Sequence, residues 1–115
     1  MNIAVIGSRT YGNLEQVRDF IRELSINDTI ISGGAKGVDR TAEDEARRLG
    51  MKVISIIPDW DKYGKGAGLI RNNYIIEKAD FVAAFWDGIS KGTKYTIDTA
   101  KKKNVTIKIF KQTMS

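Results

Sequence analysis

A chain of 115 residues fits one domain, and at that size it buries roughly two thirds of the surface its unfolded form exposes, enough for a core without covalent staples. Nineteen Lys and Arg against fourteen Asp and Glu leave a net charge of +5, which favours anionic partners in general without specifying nucleic acid. With no Cys and no His, the chain has no disulfide, no thiolate or Ser-His nucleophile and no conventional zinc site, so any proton transfer falls to carboxylates, Lys or Tyr.

Asn2 to Ile6 is short and apolar and reads as a buried strand, with Gly7-Ser8-Arg9 at its end. A start of this kind shows no signal peptide, and no apolar run approaches membrane-spanning length, so the expected location is the cytoplasm. Leu14, Val17, Ile21 and Leu24 lie at helical spacing and predict a helix from about Asn13, its N-cap, to Ser25. Asn27-Asp28 turns the chain into a second strand, Thr29 to Ile31. A glycine-rich turn follows, then a helix from Val38 to about Leu49 with Val38, Ala42, Ala46 and Leu49 on its apolar face and Gly50 as its stop. Lys52 to Ile57 is the third strand.

Pro58 to Gly66 is polar and aromatic, has no periodicity and reads as a long loop. Ala67 to about Ala79 is the next helix, with Ile70, Tyr74 and Ile75 or Ile76 facing inward. Phe81 to Phe85 is the fourth strand and Trp86 to Lys91 a loop. Gly92-Thr93 opens the last helix, which ends near Asn104 before the fifth strand, Val105 to Ile109. Residues 1–110 form a single domain and 111–115 a frayed tail.

This β-α-β-α-β-α-β-α-β alternation implies an α/β fold, a parallel sheet of about five strands with helices on both faces. Right-handed crossovers make it doubly wound, with the expected strand order 3-2-1-4-5. Ligands of such sheets bind beyond the C-terminal strand ends where the order reverses, here between the first and fourth strands. Three glycine-bearing turns leave strands at that edge: Gly7-Ser8-Arg9, Ser32 to Val38, and Asp87 to Thr93.

Each turn carries candidates. Gly33, Gly34 and Gly37 permit positive φ and a close approach of ligand to backbone. The helix start behind them offers unpaired N–H groups and partial positive charge to a phosphate, and Lys36 adds a full charge. The competing reading is a tight turn with no ligand. Arg9 suits a two-pronged contact to phosphate or carboxylate, or else a surface salt bridge. Ser8 is a phosphate donor or a turn cap. Asp39 contacts a ribose hydroxyl or merely favours the helix dipole. Gly92 and Thr93 make a second phosphate cradle or an ordinary helix start, with Ser90 a competing cap.

Trp86 and Asp87 lie just past a buried strand, where Trp86 stacks on a base or packs in the core. Trp60 and Tyr63 are placed to close over an aromatic ligand. Asp59 and Asp61 share a cation or are solvated, and Arg71 with Asn72 sits early in its helix, where an exposed arginine is the default. Lys101-Lys102-Lys103 compensates a helix dipole.

Together, Gly7-Ser8-Arg9, Ser32 to Asp39, Trp60 with Tyr63-Gly64-Lys65, Ala67-Gly68 with Arg71-Asn72, and Phe85-Trp86-Asp87-Gly88 with Lys91-Gly92-Thr93 resemble the YspA-like branch of the SLOG superfamily, in order and over nearly the whole chain. That superfamily also holds the LOG-type phosphoribohydrolases and the DprA/Smf DNA-processing proteins. The resemblance implies a Rossmann-like fold that senses or processes nucleotide-derived ligands, with contacts at Gly7, Ser8, Arg9, Gly33, Gly34, Asp39, Arg71, Gly92 and Thr93. One position departs from it. LOG-type hydrolases carry Gly-Thr-x-x-Glu with a catalytic glutamate, and here Thr96 stands in that place while Asp98 falls elsewhere on the helix. Arg71 resembles the arginine of that active site, so the resemblance implies that phosphate or sugar binding survives without hydrolysis.

The leading reading is therefore binding or sensing of a nucleotide-derived small molecule. Phosphate would sit on the glycine turns with Arg9, Arg71 and Lys36 around it, Asp39 toward ribose, Trp60 or Tyr63 over the base, and Asp87, Gly92 and Thr93 completing the site. One alternative is an N-glycosidic hydrolase in which Asp87 or Asp61 replaces the missing glutamate. Another is single-stranded DNA binding, which needs a basic groove with aromatic platforms. No cofactor, metal or membrane contact is expected, nucleic-acid binding is expected to be weak, and self-association is left open.

Overall fold

The computed structural model describes residues 1–112, so the 113–115 part of the expected tail lies outside the described residues. The strands are β1 (Asn2–Gly7), β2 (Thr29–Ser32), β3 (Lys52–Ser55), β4 (Phe81–Trp86) and β5 (Thr106–Lys111). They form one sheet in the expected order, β3-β2-β1-β4-β5, and every pairing is parallel. The central strands are buried on both faces: Ile3 to Ile6 in β1 and Val82 to Phe85 in β4 are each at most 5% exposed. A parallel strand covered from both sides needs such an unbroken apolar run. The edge strands are mixed, with Lys52 and Ser55 exposed on β3 and Thr106 and Lys108 on β5. β5 runs to Lys111, one residue into the segment expected to fray, and pairs there with Trp86.

Alternate residues of each strand point to opposite faces, and this divides the core in two. Ile3, Val5, Ile30, Ala83 and Phe85 pack with Val17 and Ile21 of α1 (Leu14–Arg22) and Val38, Ala42 and Ala46 of α2 (Val38–Arg48). Ala4, Ile6, Ile31, Val82 and Ala84 pack with Ile75 and Ile76 of α4 (Ala67–Lys78) and Ile97 and Ala100 of α5 (Lys91–Lys102). Asn13 caps α1 as expected, its side chain accepting the Gln16 N–H at 3.2 Å.

Several details differ from the expectations: β3 ends at Ser55 and leaves Ile57, expected in the strand, exposed, and α1 ends at Arg22 and not Ser25. The segment from Pro58 to Gly66 is not all loop: it holds the short helix α3 (Trp60–Tyr63) and one 3₁₀ turn, Gly64–Gly66, with Asp59 capping α3 through the Lys62 N–H. Four residues are too few to show a helical period. Tyr74 is exposed, while Ile75 and Ile76 are both buried. Tyr74 precedes Ile76 by two residues, which at about 100° per residue places it on the far side of α4. Finally, α5 starts at Lys91, because Ser90 is its N-cap and accepts the Thr93 N–H.

Candidate functional site

The C-terminal ends of β1, β2 and β4 bring the three glycine turns to one edge of the sheet. Where the order reverses, between β1 and β4, a cleft of about 360 Å³ opens. Gly7, Arg9 and Thr10 line it from β1, Ala35 and Asp39 from the start of α2, Arg71, Asn72 and Ile75 from α4, and Asp87, Gly92, Thr93 and Thr96 from the other side. A smaller cleft of about 230 Å³ lies alongside, lined by Gly33, Gly34, Ile57, Pro58 and Trp60, with Arg9, Ala35 and Arg71 shared between the two.

The β1 turn separates structural from available groups. A Cβ on Gly7 would stand 2.6 Å from Val38, so glycine lets α2 pack directly on the strand end. Ser8 is buried; its hydroxyl accepts the Asp87 N–H at 3.2 Å and pairs with the Thr93 hydroxyl at 3.3 Å, tying β1 to β4 and α5. Arg9 is exposed, lines both clefts and has no ion pair among the described residues.

In the second turn Gly34 and Gly37 take φ of +69° and +87°, the left-handed region that glycine reaches without strain. Gly33 does not. It is glycine because the Arg71 guanidinium lies where its Cβ would be. Arg71 donates from Nη1 to the Gly33 carbonyl at 2.7 Å and from Nε to Asn72 Oδ1 at 2.7 Å. Asn72 in turn donates to Thr96 Oγ1 at 2.9 Å, and Thr96 donates to the Gly92 carbonyl at 3.0 Å. This chain of side chains braces the cleft from β2 across α4 to α5. Lys36 is exposed and lines neither cleft, so its charge acts only from a distance.

Asp39 is 8% exposed and accepts the Ala35 N–H at 3.3 Å. Burial pushes its pKa up to about 6; the Ala35 N–H and the Arg71 guanidinium pull it down, and Glu43 pushes it up again. The helix start expected to cradle phosphate thus already faces an anion of its own. At α5 the situation is the reverse. A Cβ on Gly92 would meet nothing within 4 Å, so its backbone borders open space. Thr93 is buried and its hydroxyl pairs with those of Ser8 and Ser90.

Asp87 is fully engaged. Its carboxylate accepts the Thr10 hydroxyl and the N–H groups of Ile89 and Ser90, each of these two at 2.8 Å. The Thr10 hydroxyl first, then those N–H groups, hold its pKa down at about 2. A carboxylate so held is a poor general acid or base near neutrality. Asp61 lines neither cleft. Trp86 is half-buried against the α4–α5 side of the core and donates from its indole to the Ser90 carbonyl at 3.0 Å, which is the packing role rather than stacking. Trp60 belongs to the smaller cleft, not the larger, and Tyr63 lines neither; the Lys62 ammonium covers its ring at 5.1 Å. Among the described residues no three His, Cys, Asp or Glu side chains gather as a metal site.

Sequence reasoning missed Thr10, Ala35 and Ile57 in the cleft walls, and the buried Glu43 that accepts from Ser32 and from Ser55, the latter at 3.2 Å. The one sequence signal for Glu43 is its place four residues after Asp39, the same helix face one turn on.

A doubly wound parallel sheet with an arginine-lined crevice at its switch point defines a Rossmann-like ligand-binding domain. Residues 1–63, more than half of the chain, match the model of the YspA, cpYpsA-related SLOG family, and the protein belongs to that family. It is 29% identical over 115 residues to the Gene 61 protein of Mycobacterium phage D29, covering 91% of this chain and 92% of that one. Its fold is shared with DNA processing protein A (DprA) of Streptococcus pneumoniae, at a TM-score of 0.83 and 23% identity. DprA of Helicobacter pylori, a structure described for its single-stranded DNA binding mode, gives 0.80 and 24%. The matches cover 94% and 95% of this chain but 49% and 64% of those proteins, so it spans about half to under two thirds of their length. Among the described residues no helix is long and apolar enough to cross a membrane.

Proposed function

We propose that the larger cleft binds the phosphate-bearing part of a nucleotide-derived small molecule. Arg9, Arg71 and the first turn of α5 meet the phosphate, and Asp39 meets a sugar hydroxyl. The observation that carries this reading is Arg9: an exposed guanidinium at the switch point, beside a second one on Arg71, with no ion pair of its own among the described residues. Two adjacent cations repel, and an anion bound between them relieves that repulsion. A guanidinium pair also matches the oxygens of a phosphate in geometry. Membership of a SLOG family supports the same ligand class.

Single-stranded DNA is the second reading, favoured by the fold shared with the Helicobacter pylori DprA and its described binding mode. Binding of that kind through phosphates alone weakens steeply with salt.

Native mass spectrometry of the protein as purified tests the first reading. A bound nucleotide-derived mass, lost in Arg9→Ala, is the expected result. A protein that carries no such mass and binds no nucleoside monophosphate in a titration overturns it. Tight, salt-tolerant binding of a single strand promotes the second reading instead.

A further inference from the structure

The two clefts meet at Arg9 and Arg71, which line both. The guanidiniums therefore stand at a junction and not at the end of one pocket. Beyond them the wall changes character. Ile57 is 65% exposed and Trp60 52%, an uncovered apolar surface continued by Pro58. The floor is the Gly33-Gly34 backbone, where a side chain on Gly33 would strike Arg71 and one on Gly34 would come within 2.8 Å of Ile57. The backbone that carries Trp60 is held by Asp59, which caps the helix Trp60 begins. The Trp60 indole and the Arg71 guanidinium flank Gly68, lying 3.8 Å and 4.0 Å from the position of a Cβ there.

A polar cleft, a pair of cations and an aromatic cleft in sequence suit an anion that joins two ring-bearing halves. We propose that the site takes a dinucleotide unit, with one nucleoside in the larger cleft, the linking phosphate at Arg9 and Arg71, and the second base stacked on Trp60. This rests on the proposed function and extends it from one nucleoside to two. A free dinucleotide and one step of a single strand share this chemistry.

Calorimetric titrations separate the cases. The probes are a nucleoside monophosphate, a phosphodiester-linked dinucleotide, a pyrophosphate-linked dinucleotide and a longer single strand of the same base. At least one dinucleotide is expected to bind roughly tenfold or more tightly than the monophosphate, the increment that stacking one base on an aromatic ring provides. Trp60→Ala erases that margin and Trp60→Phe keeps most of it. With the margin present, a strand that binds no better than its dinucleotide assigns the site to a free dinucleotide. A strand that gains further with length assigns it to single-stranded nucleic acid. Equal affinity for monophosphate and dinucleotides, or a margin that survives Trp60→Ala, overturns the two-ring ligand; monophosphate binding then leaves the proposed function standing. No binding of any probe overturns both.

Discussion

Arg71 reaches across 38 residues of sequence to donate from Nη1 to the Gly33 carbonyl at 2.7 Å. Its guanidinium also occupies the space above the Gly33 Cα, and the backbone there is not in the left-handed region. The glycine therefore serves the arginine and not the turn.

From that relationship comes a contrast between two glycines. Gly33→Ala pushes against the end of a flexible side chain, which swings aside and gives up its bond to the Gly33 carbonyl, so stability is expected to fall by about 1 kcal/mol. The displaced Arg71 loses its place at the junction, and affinity for a nucleoside monophosphate is expected to fall roughly tenfold. Gly7→Ala instead meets Val38 at 2.6 Å, a β-branched residue fixed on a packed helix. Its cost is expected at about 1–3 kcal/mol, the larger loss of stability of the two. Denaturant melts and titrations on both variants check the pair. A Gly33→Ala less stable than Gly7→Ala, or a Gly7→Ala of normal stability, counts against this account of the packing.

The strand order was legible because the apolar runs and the glycines at their ends alternate with helical stripes such as Val38-Ala42-Ala46. Arg9 and Asp39 were legible as neighbours at one cleft for the same reason, while Arg71, by default an exposed helical arginine, was drawn to it only by the family resemblance. Arg9 follows a strand end and Asp39 lies in the first turn of a helix, and topology carries those points to one edge. What stayed hidden depends on neighbours remote in sequence. The burial of Glu43 needs Ser32 and Ser55 from two different strands, and the assignment of Trp60 to a separate cleft needs the placement of Ile57 and Gly33 around it. The reason for Gly33 lies on α4, out of reach of any local pattern.

Asp39 makes stability depend on pH. Its folded pKa of about 6 lies above the unfolded 3.8, so the native state holds the proton more tightly between those values. Stability is greatest from this group below 3.8 and falls as pH rises to about 6, then stays level. The separation of roughly two units corresponds to an effect on the order of 3 kcal/mol. Asp39→Asn is expected to be more stable than the parent above pH 6, the difference vanishing below 3.8. Melts across that range measure it. Ligand binding adds a second reading of the same group: a sugar hydroxyl donating to Asp39 favours the charged form, so affinity rises with pH through about 6. Affinity that falls over that range places the phosphate, not the sugar, against Asp39.

Asp87 behaves in the opposite sense. Its folded pKa of about 2 lies below the unfolded 3.8, so its contribution is complete above 3.8 and is lost as pH falls toward 2. Asp87→Ala removes the acceptor of the Thr10 hydroxyl and of two N–H groups at a largely exposed turn, where water takes its place, and is expected to cost about 1 kcal/mol, while Asp87→Asn keeps the two backbone contacts and costs less. With this carboxylate committed and Thr96 at the hydrolase glutamate position, no release of free base from a nucleoside monophosphate is expected. Chromatography of the incubated mixture checks this, and turnover abolished by Asp87→Asn would restore the enzyme reading.

Arg9 is the residue on which the binding proposal stands. It is exposed, and among the described residues nothing pairs with its charge, so the folded state draws little from it. Its positive charge instead works against Arg71, lowering that guanidinium's pKa behind two larger effects, burial, which lowers it, and the Asp39 carboxylate, which raises it. Arg9→Ala is therefore expected to leave the melting temperature unchanged or slightly raised. Binding should respond strongly. A charge-assisted hydrogen bond contributes roughly 1.5–3 kcal/mol, so loss of the phosphate contact weakens a nucleoside monophosphate by about ten- to a hundredfold. Arg9→Lys keeps the charge but offers no planar fork, and recovers only part of the affinity. Calorimetric titration of both variants beside thermal melts gives the two readouts independently. A lower melting temperature with unchanged affinity is the signature of a structural arginine, and it would transfer the phosphate to Arg71 and the backbone of α5 alone.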